Sequence, residues 1–255
     1  MQSKLRFMKA YLVTLRFHWG YSIRNYFASK VTDTYIIPPL NTLIGALAMA
    51  NCARNGKHVE NVSKASNAKN FASRVKYAAF MFKYKPIKFT SLLRYSTSIY
   101  WLTEYDVQVE TRTSRLFNAI QFGLNSYLNG IMNMLVITDL DKADLYSINR
   151  LGSKESIISI ISVKEVSYKR IDKGSTIKNV TFSFNKNLAE KILGNYFVEI
   201  IPSYNESFYN FFTQPTNITT ESFCIPNPVV SLITAKEACL FSTEVGNCIG
   251  PVDSC

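Results

Sequence analysis

Two cations, a glycine and a hydroxyl stand together in the run Asn149-Arg-Leu-Gly-Ser-Lys-Glu-Ser156. A tight turn carrying Arg150, Gly152, Ser153 and Lys154 presents backbone N–H groups and positive charge to one small anion, which suits a phosphate. Arg16 and Arg24 flank the exit of the first apolar segment, with His18 between them, and Arg94, Arg112 and Arg115 follow in a polar stretch. Such cations hold single-stranded RNA by its phosphates, while Trp19, Tyr21, Tyr95 and Trp101 offer faces on which bases stack. Thr42, at the start of an expected helix, either donates to a phosphate at the positive helix end or caps the helix. For each arginine taken alone a solvated surface charge is an equal alternative, and core packing claims at least two of the four aromatics. The RLGSK turn stands above that alternative because its four features coincide.

Other chemistries find little material. The chain holds two histidines, His18 and His58, and no paired carboxylates, GxGxxG, Walker loop or Ser/His/Asp order. His18 is placed to act as a general base on a ribose 2′-hydroxyl. Without a matching Lys-His pair it reads instead as an RNA contact or a hydrogen-bonded strand residue. Cys52, Cys224, Cys239, Cys248 and Cys255 form no CxxC pair, so neither a zinc site nor another cofactor is expected. Scattered buried thiols in a reducing compartment is the expectation.

The elements that must position these groups follow from hydrophobic spacing. Residues 10–19 suit a strand in which Leu12, Leu15 and Phe17 break strict parity, so both faces are expected to be covered. Leu40, Leu43, Ile44, Leu47 and Ala48 fall on one helix face, entered through Pro38-Pro39 and closed at Gly56, with Asn41 or Thr42 accepting from the first free N–H groups. Residues 57–76 read as a loop or short helix, 80–89 as a second strand, and about 91–128 as a hairpin or extended arm. Residues 132–139 form a third expected strand and Asp141 caps a short helix. Residues 155–166 make a fourth strand, apolar on both faces. The order is βαββαβ, the ferredoxin-like plan also used by RNA-recognition modules, in which RNA binders leave one sheet face open. Residues 167–255 add short strands and a Pro/Asn-rich tail.

At 255 residues, 47% hydrophobic and 18% charged, the chain buries a full core rather than remaining disordered. Its net charge of +11 is unevenly placed: residues 1–100 hold 16 basic against 2 acidic residues, 101–150 hold 4 against 6, and 151–255 hold 9 against 10. That segregation points to one polyanion-facing surface, a solvated basic face being the plainer reading. From Ile192 onward Lys236 is the only cation against six acids, which suits protein contact better than nucleic acid. No apolar run matches a signal peptide or spans a bilayer, so a cytoplasmic protein without a membrane partner is expected.

Three segments together resemble the CRISPR-associated Cas-five family, the subunit that caps the 5′ end of the guide RNA in type I interference complexes. They are LRFHWGYSIR running to TYIIPPLNTLIGAL, TRTSRLFNAIQFG at 111–123, and Asn149-Arg-Leu-Gly-Ser-Lys-Glu-Ser156. The resemblance covers roughly residues 8–166, and RLGSKES suggests the archaeal type I-A branch. It implies an α+β protein: a ferredoxin-like domain over 1–166 with an inserted β-hairpin thumb at about 91–128, and a C-terminal β-rich subdomain over 167–255. It further implies a non-catalytic Cascade subunit that binds the crRNA 5′ handle and docks on the Cas-seven backbone and the large and small subunits, meeting target DNA indirectly. The expected RNA contacts are Arg16, His18, Arg24, Thr42, Arg94, Arg112, Arg115, Arg150, Gly152, Ser153 and Lys154. One branch of the family cuts precursor RNA, so a metal-independent endoribonuclease is the alternative, followed by a generic single-stranded RNA binder.

Overall fold

The computed structural model describes residues 8–23, 25, 31–56, 61–62, 65–82, 84, 86–94, 119–126, 130–152, 156–209 and 217–255. The chain is α+β and mostly strand. Its first part runs β1 (Lys9–Phe17), β2 (Val31–Thr32), α1 (Leu40–Arg54), β3 (Asn61–Val62), β4 (Ala65–Ser66), a 3₁₀ helix (Asn67–Arg74), β5 (Val75–Phe82), β6 (Ile87–Arg94), β7 (Ala119–Ser126), β8 (Ile131–Thr138), α2 (Lys142–Tyr146) and β9 (Ile158–Val166). Four of these strands form one sheet in the order β5-β8-β1-β9, every neighbouring pair antiparallel.

Both faces of that sheet are used, which explains the mixed parity of β1. Tyr11, Val13, Leu15 and Phe17 meet Leu43, Ile44 and Leu47 of α1 on one side. Ala10 and Leu12 face the other way, against Phe182, Cys239, Phe241 and Cys248. Phe182 lies in the link between two strands of a second set, and Cys239, Phe241 and Cys248 lie within it: β10 (Tyr168–Ile171), β11 (Thr176–Val180), β12 (Phe184–Asn185), β13 (Ala189–Leu193), β14 (Tyr196–Pro202), β15 (Thr220–Pro226), β16 (Val230–Thr234), β17 (Ala238–Thr243) and β18 (Gly246–Pro251). They make a six-stranded sheet, β10-β17-β18-β11-β16-β13, and a three-stranded one, β12-β15-β14, around Val180, Phe184, Cys224, Leu232 and Ile249. The open sheet face expected of an RNA binder is therefore closed over at the Ala10–Leu12 end.

Several elements differ from the sequence reading for identifiable reasons. The stretch 80–89 is not one strand: β5 ends at Phe82 and β6 begins at Ile87, after Pro86, which lacks the N–H a ladder needs. β5 itself starts at Val75, inside the segment expected to be a loop or short helix, which also holds the 3₁₀ helix. β9 is not apolar on both faces, because it is an edge strand and Ile161 is half exposed. The arm begins earlier than 91: β6 pairs with β7 from Ile87↔Ser126 to Arg94↔Ala119, and residues 95–118 beyond that base lie outside the described residues. Asp141 caps α2 as expected, its carboxylate accepting from Asp144 N at 2.8 Å, and that N–H holds the carboxyl below its ordinary range. Free thiols hold only for Cys52, Cys224 and Cys248, since Cys239 and Cys255 form a disulfide across a Cα separation of 5.9 Å. Burial pushes Cys224 up to about 11 and Cys248 up as well, so neither is a reactive thiolate. Among the described residues no helix is long and apolar enough to cross a membrane.

The entry to α1 is held from outside. No side chain caps the helix; Thr42 N and Leu43 N donate to Pro39 O at 2.9 and 3.4 Å. Asn41 instead reaches away, its amide donating to Ser203 O at 3.4 Å and its Oδ1 accepting from Tyr209 Oη at 3.4 Å. Glu199 of β14 accepts from Ile36 N at 2.7 Å through Oε1 and from Ile37 N at 2.9 Å through Oε2. Burial raises the Glu199 carboxyl above its ordinary range, and the two N–H groups oppose that rise without cancelling it.

Two outcomes follow for denaturant unfolding. Glu199→Ala leaves the Ile36 and Ile37 N–H groups without an acceptor and lowers stability by about 2–4 kcal/mol. Because the folded state holds the Glu199 proton more tightly than the unfolded chain, the carboxyl's contribution is fullest in acid and falls as pH rises through its raised pKa. The stability of Glu199→Gln relative to the natural chain therefore improves from about pH 4 to about pH 7; a difference that stays constant over that range contradicts this assignment.

Candidate nucleic-acid interface

Strand alternation fixes what the open half of the sheet carries. Since Leu15 and Phe17 enter the helix-side core, Thr14, Arg16 and His18 point to the opposite face, beyond the part covered by Phe182 and Phe241. On β9, Ser162 and Ser159 stand opposite Thr14 and Arg16, and on β8 Asn133 stands opposite Thr14. His18 Nε2 lies 2.8 Å from Ser159 Oγ, and Thr14 Oγ1 donates to Asn133 Oδ1 at 2.8 Å. Arg16 is exposed and has no side-chain partner among the described residues. Trp19, one residue beyond His18, is 79% exposed. Tyr21 belongs to the core, stacked on Phe17 with ring centroids 4.9 Å apart.

The RLGSKES turn is sewn to this same strand exit. Arg150 forms a β-bridge with Ile157, whose carbonyl accepts from His18 N at 3.2 Å. Leu151 N donates to Ser156 O at 3.0 Å, and Ser156 Oγ accepts from Ser22 N at 3.1 Å. Gly152 sits at φ +124°, where a Cβ would lie 2.8 Å from both Ser156 Oγ and Ser22 O. Glycine is thus required there by backbone conformation and by close approach together.

Arg16, His18, Arg150 and Gly152 are therefore gathered at one end of the sheet, with Trp19 beside them. Thr42 is not part of that group: α1 covers the helix side of the sheet, and the Thr42 N–H is taken by Pro39. Arg94 lies in β6, on the base of the arm. Arg24, Arg112, Arg115, Ser153 and Lys154 lie outside the described residues, as do Tyr95, Trp101 and His58. Two of the remaining N-terminal cations are neutralised: Arg54 pairs with Asp144 at 3.0 Å and Asp141 at 3.5 Å, and Arg74 with Asp139 at 2.8 Å. Ser22 and Ser159 are positioning residues that sequence reading missed, and Ser156, quoted there only as the end of the motif, is the latch to Ser22. Strand parity offered a signal for Ser159 alone, opposite Arg16 on the neighbouring strand. An unpaired guanidinium, an exposed indole and hydrogen-bonded hydroxyls at a strand end can hold a phosphate and stack a base.

No family model matches the chain. Two curated proteins of Saccharolobus solfataricus are similar to it: "CRISPR-associated protein Cas5 2", 27% identical over 169 residues, and "CRISPR system aCascade subunit Cas5 1", 27% identical over 172 residues. The similarity takes in 62% of this chain in both cases, and 62% and 66% of those two relatives. Among solved structures, "Crystal structure of a CRISPR protein from Archaeoglobus fulgidus" shares the fold with a TM-score of 0.54 at 17% identity, over 96% of this chain and 99% of that one. The chain thus spans less than two thirds of the length of the curated relatives, and an archaeal origin fits them.

The turn itself is open to test. Gly152→Ala forces the added methyl against Ser156 and Ser22 at a φ that L-residues avoid, and lowers stability by about 2 kcal/mol. Ser156→Ala, which removes the latch alone, costs about 1 kcal/mol. Thermal melts of both variants check this, and a Gly152→Ala melt equal to that of the natural chain contradicts the packing described.

Proposed function

Because its relatives support assignment of the chain to the Cas5 family of CRISPR-associated proteins, we propose that it is a non-catalytic subunit of a type I Cascade complex that holds the 5′ handle of the crRNA. The observation that carries this reading is the gathering of Arg16, His18, Trp19 and Arg150 at one end of the four-stranded sheet. The strand order β5-β8-β1-β9 supports a ferredoxin-like reading of the first part: by order along the βαββαβ plan it is second, third, first, fourth. The β6–β7 pair then stands between strands two and three as the base of a thumb, carrying Arg94.

In this reading Arg16 and Arg150 neutralise phosphates, Trp19 stacks on an unpaired base, and His18, steadied by Ser159, contacts the ribose or phosphate. The thumb and the acidic C-terminal part meet the Cas7 backbone and the large subunit. His18 acts as a contact rather than a base, since its Nε2 is engaged by a serine hydroxyl and no cation among the described residues is bonded to it.

Fluorescence anisotropy with a labelled repeat-derived 5′-handle RNA tests the binding. Arg16→Ala combined with Arg150→Ala weakens binding and reduces the salt slope by about 0.7 for each phosphate no longer neutralised. Unchanged affinity and slope remove this cluster from the interface. Incubation with a repeat-containing precursor RNA in EDTA leaves the RNA intact; specific cleavage that disappears in His18→Ala establishes the endoribonuclease instead.

A further inference from the structure

The edge of the four-stranded sheet remote from β9 borders a cleft of about 260 Å³ between β5 and the C-terminal strands. β5 is the outermost strand there. Phe80 N donates to Ser183 Oγ at 3.0 Å and Phe80 O accepts from Ser183 N at 2.8 Å, so the peptide groups of Phe80 point away from β8. Peptide orientation alternates along a strand, so Ala78, two residues earlier, also turns its N–H and C=O away from β8 and into the cleft. Pro38 and Phe223 line apolar parts of the wall. Lys76 and Lys236 stand in the lining, both exposed. Lys76 reaches only a backbone carbonyl, that of Asp253, at 3.4 Å, and neither lysine has an acidic partner among the described residues. The one carboxylate in the lining, Glu221, accepts from Asn185 Nδ2 at 2.6 Å.

We infer that this cleft docks a short extended acidic segment of a partner protein, distinct from the RNA-facing end of the sheet. The segment lies along the edge of β5 ahead of the Phe80–Ser183 contact, pairing its backbone with the N–H and C=O of Ala78. A carboxylate on it lies between Lys76 and Lys236, and a small apolar side chain rests on Pro38 and Phe223. A peptide complements the paired donor and acceptor of a strand edge, as a phosphate chain does not. The inference stands independently of RNA binding, because it uses the opposite edge of the sheet.

The test uses the full chain and two fluorescein-labelled pentapeptides, Val-Asp-Val-Asp-Val and Val-Lys-Val-Lys-Val, both acetylated and amidated. Anisotropy at low salt is expected to show saturable binding of the acidic peptide below about 1 mM and none of the basic one. Lys236→Glu and Lys76→Glu each weaken that binding about fivefold, while circular dichroism and 5′-handle RNA affinity stay unchanged. Lys236→Glu, in the connection between β16 and β17, serves alone should Lys76→Glu fail to fold. Amide exchange at Ala78 slows in the presence of the acidic peptide. Absence of binding at about 1 mM, equal binding of the basic peptide, indifference to both substitutions, or displacement of the peptide by a short single-stranded RNA each overturns the proposal.

Discussion

The grip of the C-terminal strands on the Ile36–Asn41 segment is the constraint on which the rest of the structure depends. A double proline can hold an extended entry but cannot donate hydrogen bonds, so the preceding N–H groups of Ile36 and Ile37 need an outside acceptor. Glu199 supplies it from β14, and Asn41 answers with bonds to Ser203 and Tyr209. With the first turn of α1 fixed, Leu43, Ile44 and Leu47 are aimed at the sheet, and the sheet can take its other face for the C-terminal strands. A half-buried carboxylate clasping two backbone donors is costly to desolvate and costly to remove, so it specifies one docking geometry more than it adds stability.

That geometry also selects the exposed chemistry. Phe182, Cys239 and Phe241 cover the sheet beside Ala10 and Leu12, and the covered part is apolar. From Thr14 onward the same face turns polar, with Asn133, Arg16, Ser159 and His18 in succession. A sheet open along its whole length would expose Leu12 and Leu135 to water at a cost of about 1.5–3 kcal/mol each. The two-part cover removes that cost and leaves only the segment whose side chains are solvated in any case. The exposed polar face and the packing of the C-terminal strands are thus two consequences of one alternation along β1.

Most secondary structure was legible because it rests on local signals. The helix face of Leu40, Leu43, Ile44 and Leu47, the Asp141 cap and the strand at 132–139 needed no tertiary information. Where reading failed, a distant residue had overruled a local preference. Asn41 is a good capping residue by type, yet it bonds to Ser203, 162 positions away. Ile161 looks like core by type, yet it lies on an edge strand beyond its cover. The disulfide joins Cys239 to Cys255, which no spacing rule marks. At the candidate site, Arg16, His18, Arg150 and Gly152 stood out by residue type, while Ser159 and Ser22 did not, because a single hydroxyl carries no pattern and Ser22 acts through its backbone.

The charge distribution shows why a basic segment need not be a basic surface. The excess over residues 1–100 suggested one broad polyanion face. Three of the four acids between Asp139 and the RLGSK turn's Glu155 answer that excess directly, Asp139 against Arg74 and Asp141 and Asp144 against Arg54. Those pairs flank α1 and α2, on the helix side, where charge is balanced. Arg16 and Arg150, at the strand end and in the turn, have no acidic partner among the described residues. A partly buried pair is screened by salt far less than an exposed free cation, so the two groups of arginines respond differently to ionic strength. A nucleic-acid contact at the sheet's end would draw its salt dependence from Arg16 and Arg150, and the formal +11 is a poor guide to it.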